Sequence, residues 1–144
     1  MSEHAFDLTR RETFDSFTPV TIRFSDQDSM GHVNNVSIAA YIEAARTMIV
    51  QGLLDRFDHP GLDFILARVV IDYKRELHYP GTVEVGGRLI RLGSKSLTSG
   101  YGVFLGDACI ATSESVNVFY DMNTRSSVVP PQDVQDAVRE LIAG

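Results

Sequence analysis

Apolar and polar residues alternate from Pro19 to Phe24, with Val20, Ile22 and Phe24 on one face and Thr21 and Arg23 on the other. A period of two predicts a first strand. From Asn34 or Asn35 to about Phe57 the period becomes helical. Ile38, Ile42, Ala45, Ile49 and Leu53 recur at spacings of three and four, and Tyr41, Ala44 and Met48 widen the stripe. The pattern predicts a long helix, opened by an Asn N-cap and packed closely on a sheet, with Met48 filling the core. His59-Pro60-Gly61 ends it.

Four strand-like segments follow: Phe64 to Leu77, Val83 to Leu92, Leu97 to Leu105 and Ala108 to Tyr120. In the first, Val69, Ile71 and Tyr73 face one way and Asp72, Lys74 and Glu76 the other. Gly106-Asp107 reads as a tight hairpin turn. After Pro130-Pro131, a short amphipathic helix runs from Gln132 to Ile142. Residues 1–18 show no steady period and read as an N-terminal arm, loose or briefly helical, before a single domain over 19–144. One long helix cannot cover both faces of a doubly wound sheet. The order predicts an α+β fold, a curved antiparallel sheet wrapped around the long central helix.

The 144 residues suffice for one core and not for two comfortable domains. A net charge of −6 argues against general nucleic-acid binding and leaves room for a small basic patch. Such patches are Lys74-Arg75, Arg88 with Arg91, and Lys95. The one cysteine, Cys109, excludes an internal disulfide and lies in an apolar run, as a buried small hydrophobe does. No stretch reaches the roughly 18 apolar residues that span a bilayer. The start of the chain lacks a signal-peptide pattern, so the expected location is the cytoplasm.

The chemistry concentrates between the first strand and the helix, at Asp26-Gln27-Asp28-Ser29-Met30-Gly31-His32-Val33-Asn34-Asn35. Loops held between strand and helix carry function, and a helix N-terminus offers unpaired N–H groups to a polarised oxygen. His4, His59 and His78 have no metal-like spacing with His32, so no metal is expected. No Gly-x-Ser-x-Gly elbow points to a serine hydrolase.

This motif, followed by Tyr41-Ile42-Glu43-Ala44-Ala45-Arg46, resembles the hotdog-fold acyl-CoA thioesterases, in the branch that includes 4-hydroxybenzoyl-CoA thioesterase. Val69-Val70-Ile71-Asp72-Tyr73 and Arg91-Leu92-Gly93-Ser94-Lys95-Ser96 extend the likeness, which runs from about Val20 to about Pro130. The sequence departs at Ile38, where that family commonly has Tyr. The resemblance implies hydrolysis of an acyl thioester to free acid and CoA, with no cofactor beyond the CoA of the substrate. It also implies a homodimer, in many members a dimer of dimers, with the acyl site between protomers.

By that resemblance Asp28 is the catalytic carboxylate, as general base on water or as nucleophile. An Asp that merely caps the loop is the plainer reading. Gly31, His32 and Val33 join it, their N–H groups being candidates to polarise the thioester oxygen. Asn34, Ile38, Tyr41 and Ile42 are expected to shape the acyl site. Tyr73, Arg75, Arg91, Ser94, Lys95 and Ser96 are candidates for the CoA side, Lys95 with Ser96 foremost. Asp26, Asn35, Glu43 and Arg46 are expected to be structural, the last two as an ion pair on the helix. Two other functions fit the same scaffold: a non-catalytic acyl-thioester-binding protein and a thioesterase acting on acyl carrier protein.

Overall fold

A computed structural model describes residues 6–144 of the chain, so the first five residues of the expected arm lie outside the described residues. The elements are β1 (Ser16–Thr21), α1 (Asn35–Leu54), β2 (Leu62–Tyr73), β3 (Thr82–Leu92), β4 (Ser96–Leu105), β5 (Ala108–Asp121), β6 (Ser126–Ser127) and α2 (Gln132–Ala143). The sheet order is β1-β3-β4-β5-β2, with β6 on β5 and every pairing antiparallel. This is the α+β hotdog arrangement, a curved sheet around a long helix.

The connection through α1 carries the chain from one sheet edge, β1, to the other, β2. Pro19 lacks an N–H donor, and its place on an edge strand accommodates that. The α1 stripe of Ile38, Tyr41, Ile42 and Ala45 packs on Val83, Val85, Tyr101 and Val103 of the sheet. Beyond the far end of α1, Leu53, Leu89, Leu97 and Phe119 meet Val134 and Val138 of α2.

The other sheet face is covered by the chain before β1. Leu8 and Phe14 pack on Ile90 and Phe104. A Cβ on Gly102 would lie 2.6 Å from the Leu8 carbonyl oxygen, and one on Gly86 would lie 2.6 Å from the Phe14 ring. Glycines on the outer face therefore let the segment lie flat. Arg88 fastens it: the guanidinium donates to the carbonyls of Thr13 (3.0 Å) and Ile142 (3.2 Å) and stacks 3.6 Å from the centre of the Phe6 ring. From residue 6 onward the expected arm is part of the folded unit, and the expected boundary after residue 18 falls inside β1.

Four expectations shift. β1 starts and ends earlier than Pro19–Phe24, because its partner residues on β3 run out at Thr82. Phe24 then opens a 3₁₀ turn, 74% exposed, instead of joining Ile22 in the core. β2 stops at Tyr73, not Leu77: the N–H groups of Lys74 and Arg75 both turn to the Ile110 carbonyl and break the ladder. Met48 is 66% exposed and lines a cavity of about 280 Å³ with Gly52, Leu89 and Leu141, so it does not fill the core.

Candidate active site

Asp26 anchors the segment between β1 and α1. Its carboxylate is 2% exposed and accepts from the Tyr41 hydroxyl (2.5 Å), the Arg23 backbone N–H (2.9 Å) and the Arg23 guanidinium (2.9 and 3.1 Å). Burial pushes this carboxyl up. The bonds from Tyr41 and Arg23 outweigh it and hold the group below the usual carboxylate range. Burial, then the carboxylate beside it, pushes the Tyr41 phenol far up, so it remains a donor. The Asp26 carbonyl accepts from Asn34 N–H at 2.8 Å, which ties the anchor to the start of α1.

Two residues on, the chain makes a tight loop around Asp28. Asp28 Oδ1 accepts from the N–H groups of Met30 (2.9 Å) and His32 (3.1 Å), and Asp28 N–H donates to the His32 carbonyl (2.8 Å). Gly31 turns the chain at φ +82°, a conformation glycine adopts without strain. One carboxylate oxygen thus builds the loop. Asp28 Oδ2 accepts no hydrogen bond among the described residues.

The donors expected to polarise the thioester oxygen are already engaged. Gly31 N–H donates to the Asp28 carbonyl (3.2 Å), His32 N–H to Asp28 Oδ1, and Val33 N–H to the Leu77 carbonyl (2.7 Å). The Asn34 side chain is the N-cap, accepting from Val36 N–H at 2.9 Å. That leaves the N–H groups of Asn35 and Ser37 without an acceptor among the described residues. Of the two asparagines, Asn34 caps the helix and Asn35 presents its first N–H without an acceptor among the described residues. Asn35 is held from the sheet side as well, its carbonyl accepting from the Tyr73 hydroxyl at 3.1 Å.

A cleft of about 480 Å³ opens here. It brings together Asp28, His32, Val33, Asn34, Asn35, Ile38, Tyr73 and Arg75 of the expected residues, and adds Lys74, Glu76 and Leu77. The last three lie in what the sequence pattern reads as more strand; Lys74 was visible only as a basic patch. Val33, Ile38 and Leu77 give the cleft an apolar wall, and Lys74 and Arg75 give it cations.

Six expected substrate contacts lie elsewhere. Tyr41 holds Asp26, and Ile42 is wholly buried under α1. Arg91, Ser94, Lys95 and Ser96 sit at the β3–β4 turn, which borders Val118 on β5, whereas Tyr73 borders Ala111. Seven residues of strand separate those positions, about 23 Å. On α1, Glu43 is exposed and Arg46 buried, their charged groups 3.7 Å apart, and Arg46 also reaches the Ser115 hydroxyl at 3.3 Å. Cys109 is half-buried, and burial pushes its thiol up.

One grouping escapes any reading of spacing. His78, on the β2–β3 connection, packs edge-on to His32 with ring centres 5.1 Å apart, and Glu76 Oε2 lies 3.5 Å from His32 Nε2 and 3.6 Å from His78 Nε2. Folding unites residues far apart in the chain, so the absence of metal-like spacing in sequence does not bear on this cluster. No helix among the described residues is long and apolar enough to cross a membrane.

The thioesterase-like superfamily matches residues 22–138. Among solved structures, the PA5185 protein of Pseudomonas aeruginosa strain PAO1 is 30% identical, with a TM-score of 0.76 over 92% of this chain and 94% of that one. A thioesterase from Thermus thermophilus, solved in complex with coenzyme A and Zn, is 29% identical, with a TM-score of 0.78 over 91% and 97% of the two chains. The uncharacterized protein YsmA of Bacillus subtilis strain 168 is 29% identical over 91 residues, 63% of this chain; the match spans 62% of the YsmA length. With a family match across both the Asp28 loop and the strands β2 to β6, and with the helix-in-sheet architecture seen above, the chain belongs to the thioesterase-like superfamily and has its hotdog fold.

Proposed function

We propose that the protein is an acyl-CoA thioesterase, hydrolysing an acyl thioester to free acid and CoA, with Asp28 as the reacting carboxylate. The observation that carries this reading is the pairing of Asp28 with an unspent helix N-terminus in one cleft. Asp28 Oδ1 is fixed by two backbone donors, which aims the side chain without consuming Oδ2. Oδ2 takes a proton from water, or attacks the thioester carbon itself. Negative charge then grows on the carbonyl oxygen. Asn35 N–H, at the positive end of the 20-residue α1, is the donor on offer to that oxygen. The apolar wall suits an acyl group, and Lys74 with Arg75 suits the anionic end of CoA. The related Thermus thioesterase, solved with coenzyme A, supports the choice of CoA.

The reading includes a homodimer. β2 is a sheet edge, and its Ile65, Leu66, Val69, Val70 and Tyr73 are all exposed. A bare apolar edge is a template for another strand, and a two-fold axis through paired β2 strands covers it with a second copy. Antiparallel pairing turns the partner end for end. The partner's β3–β4 turn then lies at the same end of the joint sheet as this chain's cleft, which gives the residues around Lys95 a site to serve.

The test is a screen of the purified chain against aliphatic and aromatic acyl-CoAs, following thiol release. Turnover abolished by Asp28→Asn is the expected result. Binding of acyl-CoA without release of thiol would favour the non-catalytic reading instead.

A further inference from the structure

Outside the proposed reaction, the cluster of His32, Glu76 and His78 has no assigned task. Its ligand atoms all lie within 4.8 Å of one another. Bonds of about 2.0–2.2 Å from imidazole nitrogen and carboxylate oxygen to zinc, in a tetrahedron, set ligand atoms about 3.4 Å apart. The two distances from Glu76 Oε2, 3.5 and 3.6 Å, are close to such edges.

The contact of His78 with the Gly31 turn is the independent observation. Its Nδ1 lies 3.3 Å from the Gly31 carbonyl oxygen. A carbonyl only accepts, so Nδ1 carries the hydrogen. In the neutral ring Nε2 is then a bare lone pair, and it faces the Glu76 carboxylate, another acceptor. A cation between two such acceptors would turn that contact into an attraction, and both side chains are exposed enough for one to enter from solvent. The contact from Nδ1 to a backbone carbonyl is also the outer-shell bond that orients a metal-binding imidazole.

We propose that His32 Nε2, Glu76 Oε2 and His78 Nε2 form a three-ligand site for a divalent cation of the Zn²⁺ class, at the rim of the cleft. Two imidazoles and one carboxylate are a borderline donor set that favours zinc, cobalt or nickel over the oxygen-seeking magnesium and calcium. The fourth position is left to water. The bound ion would join the loop around Asp28 to the β2–β3 connection, one hydrogen bond from the Asp28 carboxylate through His32. Neither the site nor its test depends on the thioesterase reading.

The experiment uses the full chain without a histidine tag, free of substrate. Titration with Co²⁺ should give the visible absorption of a tetrahedral ion at one equivalent, displaced by Zn²⁺. X-ray absorption of the zinc form should show two imidazole nitrogens, a readout that needs no substitution. His78→Asn and Glu76→Gln should each weaken binding by more than about 10-fold. His59→Asn, whose imidazole pairs with Asp133 instead, should leave it unchanged. Binding retained in a folded His32→Asn/His78→Asn double variant would overturn the proposal. So would a wild-type Co²⁺ spectrum no different from the aqueous ion, or Mg²⁺ competing as well as Zn²⁺.

Discussion

The Tyr41 hydroxyl donates to the buried Asp26 carboxylate at 2.5 Å, joining the second turn of α1 to the loop that carries Asp28. Asp26 titrates below its ordinary range in the folded chain. A depressed carboxylate contributes stability that is complete above its unfolded pKa of about 3.9 and is lost as pH falls through the lower folded value. Tyr41→Phe removes one donor and raises the folded value toward the unfolded one, so less stability remains to be lost on acidification and the loss is complete at a higher pH. A buried acceptor deprived of a partner costs about 1–3 kcal/mol. Thermal melts from pH 3 to pH 7 should show the variant less stable at neutral pH and with a shallower acid decline, the gap to wild type narrowing as pH falls. Equal melting at neutral pH would mean that Arg23 alone satisfies Asp26.

The two asparagines should separate cleanly. Asn34→Ala removes the N-cap of α1 and should cost about 1 kcal/mol of stability. Asn35→Ala keeps both the backbone N–H and the carbonyl that Tyr73 holds, and should melt close to wild type. Denaturant unfolding of the two variants checks this; a larger loss for Asn35→Ala would reverse the assignment of the cap.

The helix was legible because Ile38, Ile42 and Ala45 repeat at a strong period and all pack on the sheet. The strand leading to Tyr73 was legible for the same reason, but its end was not. Lys74 and Glu76 continue the polar face of the pattern toward Leu77, and only the Ile110 carbonyl, a tertiary partner, stops the ladder. Burial of Tyr41 beside Asp26 was equally hidden, since an apolar stripe does not say which member has a polar partner. The Asp28 loop was visible as a motif. Which of its N–H groups remain unspent depends on Leu77, far along the chain, and no local pattern carries that.

Edge pairing through β2 makes a prediction about mass and a prediction about recognition. Val70→Lys places a charge on the exposed edge and should turn a dimer into the 15.9 kDa monomer in sedimentation at low micromolar concentration. If the partner's turn serves the cleft, Lys95→Ala in the dimer should raise KM for acyl-CoA more than for the matching acyl-pantetheine, with kcat little changed. An equal loss on both substrates would show that Lys95 does not read the nucleotide. A wild-type monomer with full activity would remove the shared site altogether.

Asp28→Asn is the sharpest test of the chemistry. The amide keeps an oxygen for the N–H groups of Met30 and His32, so the loop retains both of its bonds and melting should stay near wild type. It can neither take a proton from water nor attack as an anion. General acid–base assistance is typically worth about 10²–10⁴ in rate, so turnover should fall at least ~100-fold. Asp26→Asn should show the opposite balance: the Arg23 guanidinium and backbone lose a charged partner in a buried setting, melting falls, and the chemical step in the remaining folded protein slows less. Single-turnover hydrolysis at saturating enzyme, paired with melts of both variants, separates loss of chemistry from loss of fold. A folded Asp28→Asn protein that hydrolyses thioesters at the wild-type rate would transfer the reaction to another group in the cleft.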